Sequence, residues 1–341
     1  MQENIKRIKY LSNILLRRMV HVNLQLLYSC NFKCRICDFW KAPYNGISYL
    51  TLENAQITAK KLKAFGPMVI SIGGGEPLIH PNLVEIVQCF SQDNFPAMIC
   101  NGWFVTPEKA AAIFKAGMYE VSVSVDYINP EKHDRQRGME GAFNQAVKAL
   151  QILNENRVSP YQRVHMISVI MDDNLEDIEP LILLARKIGV TYVVTLYCNE
   201  RGKKESKVPI KEAGAYLMKL KKKYPDFVSL PGYIEKFQDA VEGQRGIAPC
   251  YGGKNLCNID CSGNVTLCID TLDQPAGNII TDDIEDIKKR LLETYRENEC
   301  AQCWTSCRGS IESLMYGKNW LYNWIECYQI VKKMPLVKPH E

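Results

Sequence analysis

Short runs rich in β-branched residues alternate with longer helical patterns over the first two hundred residues of this chain. The runs that predict β-strands are 20–27, 68–74, 97–102, 120–126, 164–171 and 192–198. Helical periodicity fills the intervals near 52–65, 81–92, 107–116, 142–156 and 174–188. Six consecutive strand–helix units predict an α/β fold with a parallel sheet and right-handed crossovers, either open or curled into a barrel.

Unusual residues cluster at the carboxyl ends of these strands. The segments SCNFKCRIC, GGGEP and NG follow the first three strands, SVD closes the fourth, and MDDN and YCNE follow the last two. The carboxyl ends of parallel strands form the rim at which α/β folds bind ligands. This clustering favours an enzyme over a structural protein.

Composition excludes several classes of protein. With 341 residues, of which 46% are hydrophobic and 23% charged, the chain can bury a core and is not expected to be disordered. A net charge of +4 gives no case for a nucleic-acid partner. The sequence contains neither a long apolar span nor the apolar core of a secretory signal, so we expect a soluble cytoplasmic protein.

The fourteen cysteines are too many for ordinary packing in a reducing compartment, and most of them lie in two groups. The first group is Cys30, Cys34 and Cys37, and the second comprises Cys250, Cys257, Cys261, Cys268, Cys300, Cys303, Cys307 and Cys327. Cys89, Cys100 and Cys198 lie between them beside apolar stretches, and we expect Cys89 to be a small buried hydrophobe. The grouping predicts metal or redox chemistry.

The first group has the spacing CxxxCxxC, which is one thiolate short of a closed tetrahedral zinc site. Iron–sulfur clusters are the other common use of closely spaced thiolates, and three ligands leave one iron atom with an open position. An open iron atom binds a further ligand.

This motif, followed by Asp38, Phe39 and Trp40, resembles the cluster loop of the radical S-adenosylmethionine (SAM) superfamily. GGGEP at 73–77, NG at 101–102, SVSVD at 122–126 and HDRQRG at 133–138 are similar to later features of that family, in the same order. The resemblance covers about 200 residues. It implies a partial (βα)6 TIM-type barrel that binds a four-iron four-sulfur cluster and SAM.

The resemblance also assigns roles to single residues. Phe39 would place its backbone against adenine, and Gly74, Gly75 and Glu76 would receive the α-ammonium group of SAM. Arg137 would bind the SAM carboxylate, and Asn101, Ser124 and Asp126 would hold the ribose and the methionine end. For Asn101, a turn cap is an equally good interpretation. The chemistry implied is reductive cleavage of SAM to a 5′-deoxyadenosyl radical, which removes a hydrogen atom from the substrate.

The second group of cysteines resembles the C-terminal SPASM and shorter twitch extensions of radical SAM enzymes, although CxxC pairs also suit a zinc ribbon. Gly263-x4-Cys268 fits the extension, whereas the later run is shortened to CxxCxxxC. The resemblance therefore implies one auxiliary four-iron four-sulfur cluster on Cys250, Cys268, Cys303 and either Cys300 or Cys307. Cys257, Cys261 and Cys327 are then spare thiols or a second, partial site.

Three segments follow from these patterns. Residues 1–19 predict an amphipathic helix that caps a barrel end or contacts a membrane surface. Residues 20–235 would form the radical SAM core, and residues 236–341 a smaller SPASM/twitch-like domain with auxiliary iron–sulfur chemistry. No winged-helix peptide-recognition domain precedes the first strand in this sequence, and this favours a small substrate over a peptide.

The leading functional hypothesis is a radical SAM enzyme that oxidises or rearranges a small metabolite. The alternatives are a peptide-modifying maturase, a lipid-modifying enzyme and a non-catalytic electron-transfer protein. An electron donor such as flavodoxin or ferredoxin is an expected partner. Candidate substrate contacts are His165, Tyr197, Cys198 and Asn199, for each of which packing is the more frequent role, and the catalytic residue and reaction type stay open.

Overall fold

The structure is a computed structural model and describes residues 2–41, 48–197, 212–241, 247, 249–300 and 303–333. The strands are β1 (His21–Leu27), β2 (Val69–Gly74), β3 (Phe95–Cys100), β4 (Glu120–Ser124), β5 (Arg163–Ile170), β6 (Thr191–Leu196), β7 (Leu256–Ile259), β8 (Asn264–Thr266) and β9 (Gly277–Asn278). The predicted Cys198 and Asn199 contacts lie outside the described residues.

The helices fall between these strands and after them. They are α1 (Gln2–Leu15), α2 (Leu52–Leu62), α3 (Leu83–Ser91), α4 (Pro107–Lys115), α5 (Pro130–Arg137), α6 (Ala142–Glu155), α7 (Ile178–Ile188), α8 (Ala213–Lys223), α9 (Pro231–Glu235), α10 (Phe237–Val241), α11 (Ile284–Arg296), α12 (Ser306–Met315) and α13 (Trp320–Lys333). None of the helices in the described ranges is both long and apolar enough to cross a membrane.

Six parallel strands form the predicted α/β sheet, in the order β6-β5-β4-β3-β2-β1. The outward side chains of β1, such as Val22, Leu24 and Leu26, are fully buried because helices cover that face. Asn23 and Gln25 alternate with them and line the interior cavity. The partial-barrel α/β class predicted from the sequence is confirmed.

Helix α5 was not predicted, because its sequence PEKHDRQR has no apolar periodicity. Capping residues in the sequence nevertheless mark both ends of this helix. The Asn129 side chain accepts a hydrogen bond from the Lys132 amide and Pro130 begins the helix, while Gly138 ends it in a left-handed conformation at φ +64°. This helix delivers Arg137 to the rim of the sheet.

The C-terminal segment continues the same sheet. Strand β7 pairs in parallel with β1, with His21 opposite Leu256, and β8 and β9 follow in antiparallel order. The cysteine-rich segment is thus hydrogen-bonded to the barrel along the edge of β1. The boundary expected at residue 235 falls between α9 and α10, upstream of this junction.

Helix α1 lies against the loops that precede two core strands. Asn13 Nδ2 donates to the carbonyls of Phe65 and Pro67, before β2, at 3.2 and 3.4 Å. Lys6 Nζ donates to the carbonyls of Ser91 and Asn94, before β3, at 3.0 and 3.2 Å. These contacts place α1 at the amino-terminal end of the sheet, opposite the cysteine loop.

Candidate functional site

The three-cysteine loop after β1 is fastened to two other motifs by backbone hydrogen bonds. The Gly75 amide donates to the Leu27 carbonyl at 2.7 Å, and the Glu76 amide donates to the Ser29 carbonyl at 3.0 Å. The Arg35 amide donates to the Gln136 carbonyl on α5 at 2.9 Å. The GGGEP and HDRQRG motifs therefore hold the cysteine loop in place.

Two glycines of the GGGEP motif leave no room for a side chain. A Cβ atom at Gly74 would lie 2.1 Å from the Leu27 carbonyl oxygen, and one at Gly75 would lie 1.9 Å from the Ser29 carbonyl oxygen. Gly74 also has a φ of +112°, in the region that favours glycine. These glycines are required for the close approach of the loop backbones and also line the cavity.

A cavity of about 320 Å³ lies inside the carboxyl-terminal rim of the sheet. It is lined by most of the predicted site residues, namely Cys30, Cys34, Cys37, Phe39, Gly74, Gly75, Glu76, Asn101, Ser124 and Arg137. Its size lies within the usual range for small-molecule and cofactor sites. The structure therefore brings the separate motifs of the core together around one space.

Glu76 is buried at the wall of this cavity, where backbone amides hold both carboxylate oxygens. Oε1 accepts a hydrogen bond from the Leu78 amide at 3.0 Å, and Oε2 accepts one from the Asn101 amide at 2.7 Å. Burial raises the pKa of Glu76 to about 7, against the opposing effect of these two bonds. Each carboxylate oxygen has a second lone pair, so an ammonium ligand can still be accepted.

Asn101 links the third strand to the cysteine loop. Its Oδ1 accepts from the Trp103 amide and its Nδ2 donates to Asn31 Oδ1, both at 2.9 Å. The turn cap considered in the sequence analysis is therefore present, although the residue also lines the cavity.

Asp126 lies behind the cavity wall, where it supports Arg137. Its carboxylate accepts a hydrogen bond from the Val169 amide at 3.0 Å and lies 2.6 Å from the guanidinium group of Arg137. Arg137 itself lines the cavity and contacts the Cys34 side chain. The structure thus places Asp126 as an anchor for Arg137 and not among the residues lining the cavity.

The thiols of the loop suit a metal cluster. Burial raises the pKa of Cys30 to about 12 and also raises the pKa of Cys34, because a thiolate loses hydration there. An iron cluster supplies the positive charge that offsets this cost, and its binding releases the protons. Arg137 beside Cys34 adds a fixed positive charge.

Phe39, which the resemblance places beside adenine, packs edge-on against Tyr28 with 5.3 Å between ring centroids. This contact fixes the backbone of residues after Cys37 against the end of β1. Phe39 therefore borders the cavity on a supported segment.

Three thiols of the C-terminal group lie in one neighbourhood of the fold, around Cys303. Cys303 is an electrostatic neighbour of both Cys250 and Cys268, although the sequence separates them by up to 53 residues. Burial raises the pKa of Cys250 to about 12 and that of Cys268 to about 11. The Gly252 amide donates to Cys250 Sγ at 3.4 Å, and the Asp270 amide donates to Cys268 Sγ at 3.4 Å. Such N–H···S bonds favour the thiolate form that binds metal.

Arg308 supplies positive charge to this second set of thiols. The residue is 2% exposed, donates to the Cys303 carbonyl at 2.7 Å and pairs with Glu312 Oε1 at 2.8 Å. Its charge lies close to both Cys250 and Cys303. A buried guanidinium that is held in this way offsets the negative charge of cluster thiolates.

The remaining C-terminal cysteines take different positions. The Cys300 amide donates to Asn298 Oδ1 at 3.1 Å, and Asn298 Nδ2 donates to the Cys250 carbonyl at 3.1 Å, so Asn298 links the backbone of Cys300 to that of Cys250. Cys307 lines the main cavity. The predicted spare thiols Cys257, Cys261 and Cys327 have pKa values raised by burial to about 12, 11 and 11.

Two of the candidate substrate contacts lie away from the lining of the main cavity. His165 is buried between Thr191 and Glu120, with 3.3 Å between His165 Nε2 and Glu120 Oε2. Tyr197 packs in a small apolar cluster with Tyr127 and Met171. Both therefore have the packing role that their residue types favoured.

Several cavity residues were not predicted as site residues. They include Asn23, Gln25, Cys100, Ile269 and Asp270, which the structure shows on the cavity wall. The alternation along β1 could have indicated Asn23 and Gln25, because polar side chains at inward positions are unusual in a parallel strand. The contribution of residues 269–270 depends on the pairing of β7 with β1, which the sequence alone does not indicate.

The fold and site define an α/β partial-barrel enzyme with a three-cysteine loop at the carboxyl end of its first strand. A family model described as the radical SAM superfamily matches residues 24–185, which include the loop, GGGEP and Arg137. Residues 24–185 therefore form a radical SAM domain by this match, and the radical SAM superfamily uses a four-iron four-sulfur cluster and SAM.

Two curated proteins illustrate the relationship. An AdoMet-dependent heme synthase of Methanosarcina barkeri is 28% identical over 54% of this chain and 52% of its own length. The mycofactocin maturase MftC of Mycolicibacterium smegmatis is 25% identical over 84% of this chain and 76% of its own length. This chain thus spans about half the length of the heme synthase, whereas the MftC match extends into the C-terminal cysteine segment.

A solved structure supports the same fold. The crystal structure of Streptococcus suis SuiB bound to precursor peptide SuiA superposes with a TM-score of 0.65 at 14% identity. The superposition covers 84% of this chain and 68% of SuiB. The C-terminal region resembles the SPASM-type extension, as the sequence predicted.

Proposed function

We propose that this protein is a peptide-modifying radical SAM maturase. The observation that carries the proposal is the extent of the match to MftC, which covers 84% of this chain, compared with 54% for the heme synthase. A match over 84% of the chain must extend into the C-terminal cysteine segment, whereas a match over 54% of the chain need not. The leading sequence hypothesis, a small metabolite as substrate, receives less support than the peptide alternative.

The residues that line the cavity agree with this proposal. Ile269, Asp270 and Cys307 reach it from the C-terminal segment, and the cysteine loop reaches it from the barrel. A substrate in this space contacts both parts of the chain. The C-terminal segment then contributes to recognition of the substrate as well as to electron transfer.

In this proposal, Cys30, Cys34 and Cys37 would hold a four-iron four-sulfur cluster, which would supply the electron for reductive cleavage of SAM. Gly74, Gly75 and Glu76 receive the α-ammonium group, Arg137 binds the carboxylate, and Ser124 and Asn101 border the ribose. Phe39 borders the adenine. Asp126 acts through Arg137, since it fixes the guanidinium group from behind at 2.6 Å.

An auxiliary four-iron four-sulfur cluster on Cys250, Cys268, Cys303 and a fourth cysteine completes the enzyme. The common neighbourhood of the first three thiols and the charge of Arg308 support it. A one-electron donor of the flavodoxin or ferredoxin class would reduce the clusters.

Contact with a membrane surface through α1 is a separate proposal. Ile5, Ile8, Leu11 and Leu15 are exposed on this helix, next to Lys and Arg residues. Liposome binding by the full chain and by a chain lacking residues 1–18 tests it. Equal binding by both would contradict it.

Anaerobic reconstitution followed by assays with synthetic peptides tests the main proposal. The peptides are those encoded by short reading frames beside the gene, and the readouts are release of 5′-deoxyadenosine and a mass change in the peptide. We expect one peptide to accelerate SAM cleavage and to change in mass. If SAM is cleaved but only a porphyrin precursor or another small metabolite is altered, the peptide proposal is wrong.

A further inference from the structure

The floor of the main cavity carries polar side chains that SAM binding does not use. Asn23 and Gln25 reach it from β1, and Cys307 reaches it from the first turn of α12. Cys307 contacts the ring of His21, which also hydrogen-bonds Asn23 Oδ1 at 3.2 Å. Polar groups at the buried centre of a barrel need partners, so their hydrogen bonds are informative.

A chain of hydrogen bonds fixes the orientation of Gln25. The Thr266 hydroxyl donates to the Cys268 carbonyl at 2.8 Å, so it accepts from Asn258 Nδ2 at 3.3 Å. Asn258 Oδ1 then faces Gln25 and accepts from Gln25 Nε2 at 3.1 Å. The amide of Gln25 is thereby oriented with its carbonyl oxygen away from Asn258.

The carbonyl oxygen Oε1 of Gln25 is left without a hydrogen-bond partner among the described residues. Gln25 is 2% exposed and lines the cavity, and a Cβ atom on Gly73 would lie 4.0 Å from this oxygen. A buried acceptor with no partner destabilises the fold, so this oxygen is suited to receive a donor from a ligand.

We propose that the cavity floor is a substrate subsite, in which Gln25 Oε1 accepts a hydrogen bond from an N–H group and the Cys307 thiol faces the same substrate. Cys307 is then a substrate-facing residue, and Cys300 is the fourth ligand of the auxiliary cluster. The identification of the donor as a peptide N–H rests on the proposed function; the assignment of the two cysteines does not.

The position of Cys300 supports this division. Asn298 accepts from the Cys300 amide and donates to the Cys250 carbonyl, and this arrangement holds the backbone of Cys300 close to that of Cys250. Cys307 instead lines the cavity together with Gln25 and Asn23. The CxxCxxxC run is thus divided between the two sites, with Cys300 and Cys303 assigned to the auxiliary cluster and Cys307 to the cavity.

Iron content distinguishes the two cysteines. Reconstituted Cys307→Ala is expected to keep the full iron content and an unchanged electron paramagnetic resonance (EPR) spectrum of the reduced auxiliary cluster. Cys300→Ala is expected to lose iron and that signal, and Cys303→Ala is expected to do the same. Loss of iron in Cys307→Ala with full iron in Cys300→Ala would overturn the assignment, whatever the substrate.

A small amide tests the acceptor without knowledge of the peptide. The probe is N-methylacetamide, which carries one peptide-type N–H, and the matched control is N,N-dimethylacetamide, which has none. Cys307 in the reconstituted enzyme is labelled with methyl methanethiolsulfonate and followed by mass spectrometry. We expect N-methylacetamide to slow labelling of Cys307 at least twofold more than the control compound does.

Two substitutions make this measurement specific for Gln25. Gln25→Met removes the acceptor and should abolish the difference between the two amides. Gln25→Glu should restore the difference between the two amides. Burial keeps the new carboxyl group protonated, so its hydroxyl donates to Asn258 and its carbonyl oxygen faces the cavity. Equal protection by both amides in the wild-type enzyme, or an unlabelled Cys307, would overturn the subsite. Failure of every peptide assay alongside a positive amide result would overturn only the proposed function.

Discussion

The two cysteine-rich regions are built in opposite ways. Cys30, Cys34 and Cys37 lie within eight residues on one loop, which backbone hydrogen bonds fasten to GGGEP and to α5. Cys250, Cys268 and Cys303 come from three separate segments, Cys303 is close to the other two, and the buried Arg308 is close to Cys250 and Cys303.

This difference teaches what each region is able to do. A short loop that supplies three thiols at the rim of a cavity leaves room for a further ligand. Thiols that converge from separate segments, with N–H···S bonds and a buried guanidinium group, can enclose a cluster and fix its charge. The first region is therefore suited to bind SAM and the second to hold an electron-transfer centre.

The largest expected effect comes from the first region. Cys34→Ala should abolish SAM cleavage, because the cluster at the cavity loses a ligand, and iron should fall from about eight to about four atoms per chain. Iron analysis and 5′-deoxyadenosine release measure both. Cys257→Ala, which removes a buried thiol from β7, is the matched control and should retain both. Wild-type cleavage in Cys34→Ala would refute the role of the loop.

Removal of a cysteine from the second region should separate SAM cleavage from peptide modification. Cys268→Ala should lose about four iron atoms and all peptide modification, yet retain SAM cleavage, because the first cluster does not depend on it. Iron analysis, cleavage and peptide mass are measured on the same preparation. Loss of SAM cleavage together with full retention of iron would contradict the division into two centres.

A backbone clash beside the cysteine loop should have a smaller effect than the loss of a cluster ligand. Gly75→Ala places a Cβ atom 1.9 Å from the Ser29 carbonyl oxygen, so the cysteine loop must shift, and we expect at least tenfold weaker SAM binding in calorimetry. Gly73→Ala is the matched control, because its Cβ atom would meet only Gln25 Oε1 at 4.0 Å. Equal affinities of the two variants would show that the loop tolerates the shift.

The smallest expected effect is a pH dependence of stability from Glu76. Its pKa is raised by burial from 4.5 to about 7 in the folded chain, so the folded state holds a proton that the unfolded state releases. The free energy of unfolding of the iron-free chain should therefore fall as pH rises from about 4.5 to about 7, by roughly 2–3 kcal/mol. Denaturant titrations of wild type and Glu76→Gln at pH 5 and 7.5 measure this loss.

The informative quantity is the difference between wild type and Glu76→Gln in this fall of the free energy of unfolding, because other groups titrate in both proteins. Glu108→Gln is the control, because Glu108 is exposed and its pKa is lowered, so its removal should leave the fall in place. A fall of the same size in Glu76→Gln would show that another group is responsible.

The sequence predicted the core of the site well because that part is local. The strand–helix alternation gave all six core strands, and residues 30–37 and 73–77 follow strands whose ends must lie side by side in a parallel sheet. Helix α5 escaped prediction because its sequence is polar, even though Asn129 and Gly138 mark its ends.

The remaining features depend on contacts between distant parts of the chain. The pairing of β7 with β1 joins residues 256–259 to residues 21–24, and no periodicity in either segment indicates its partner. For the same reason the sequence could not show that Cys307 and Asp270 line the cavity, or that Asp126 lies behind Arg137.

The central claim is that the first cluster is open to SAM and the second is closed. The most direct measurement is the EPR spectrum of the reduced enzyme with and without SAM, in wild type and in a Cys30→Ala/Cys34→Ala/Cys37→Ala variant. We predict that SAM changes the wild-type spectrum and leaves the remaining signal of the variant unaltered. A spectrum of the variant that still changes on addition of SAM would contradict the account.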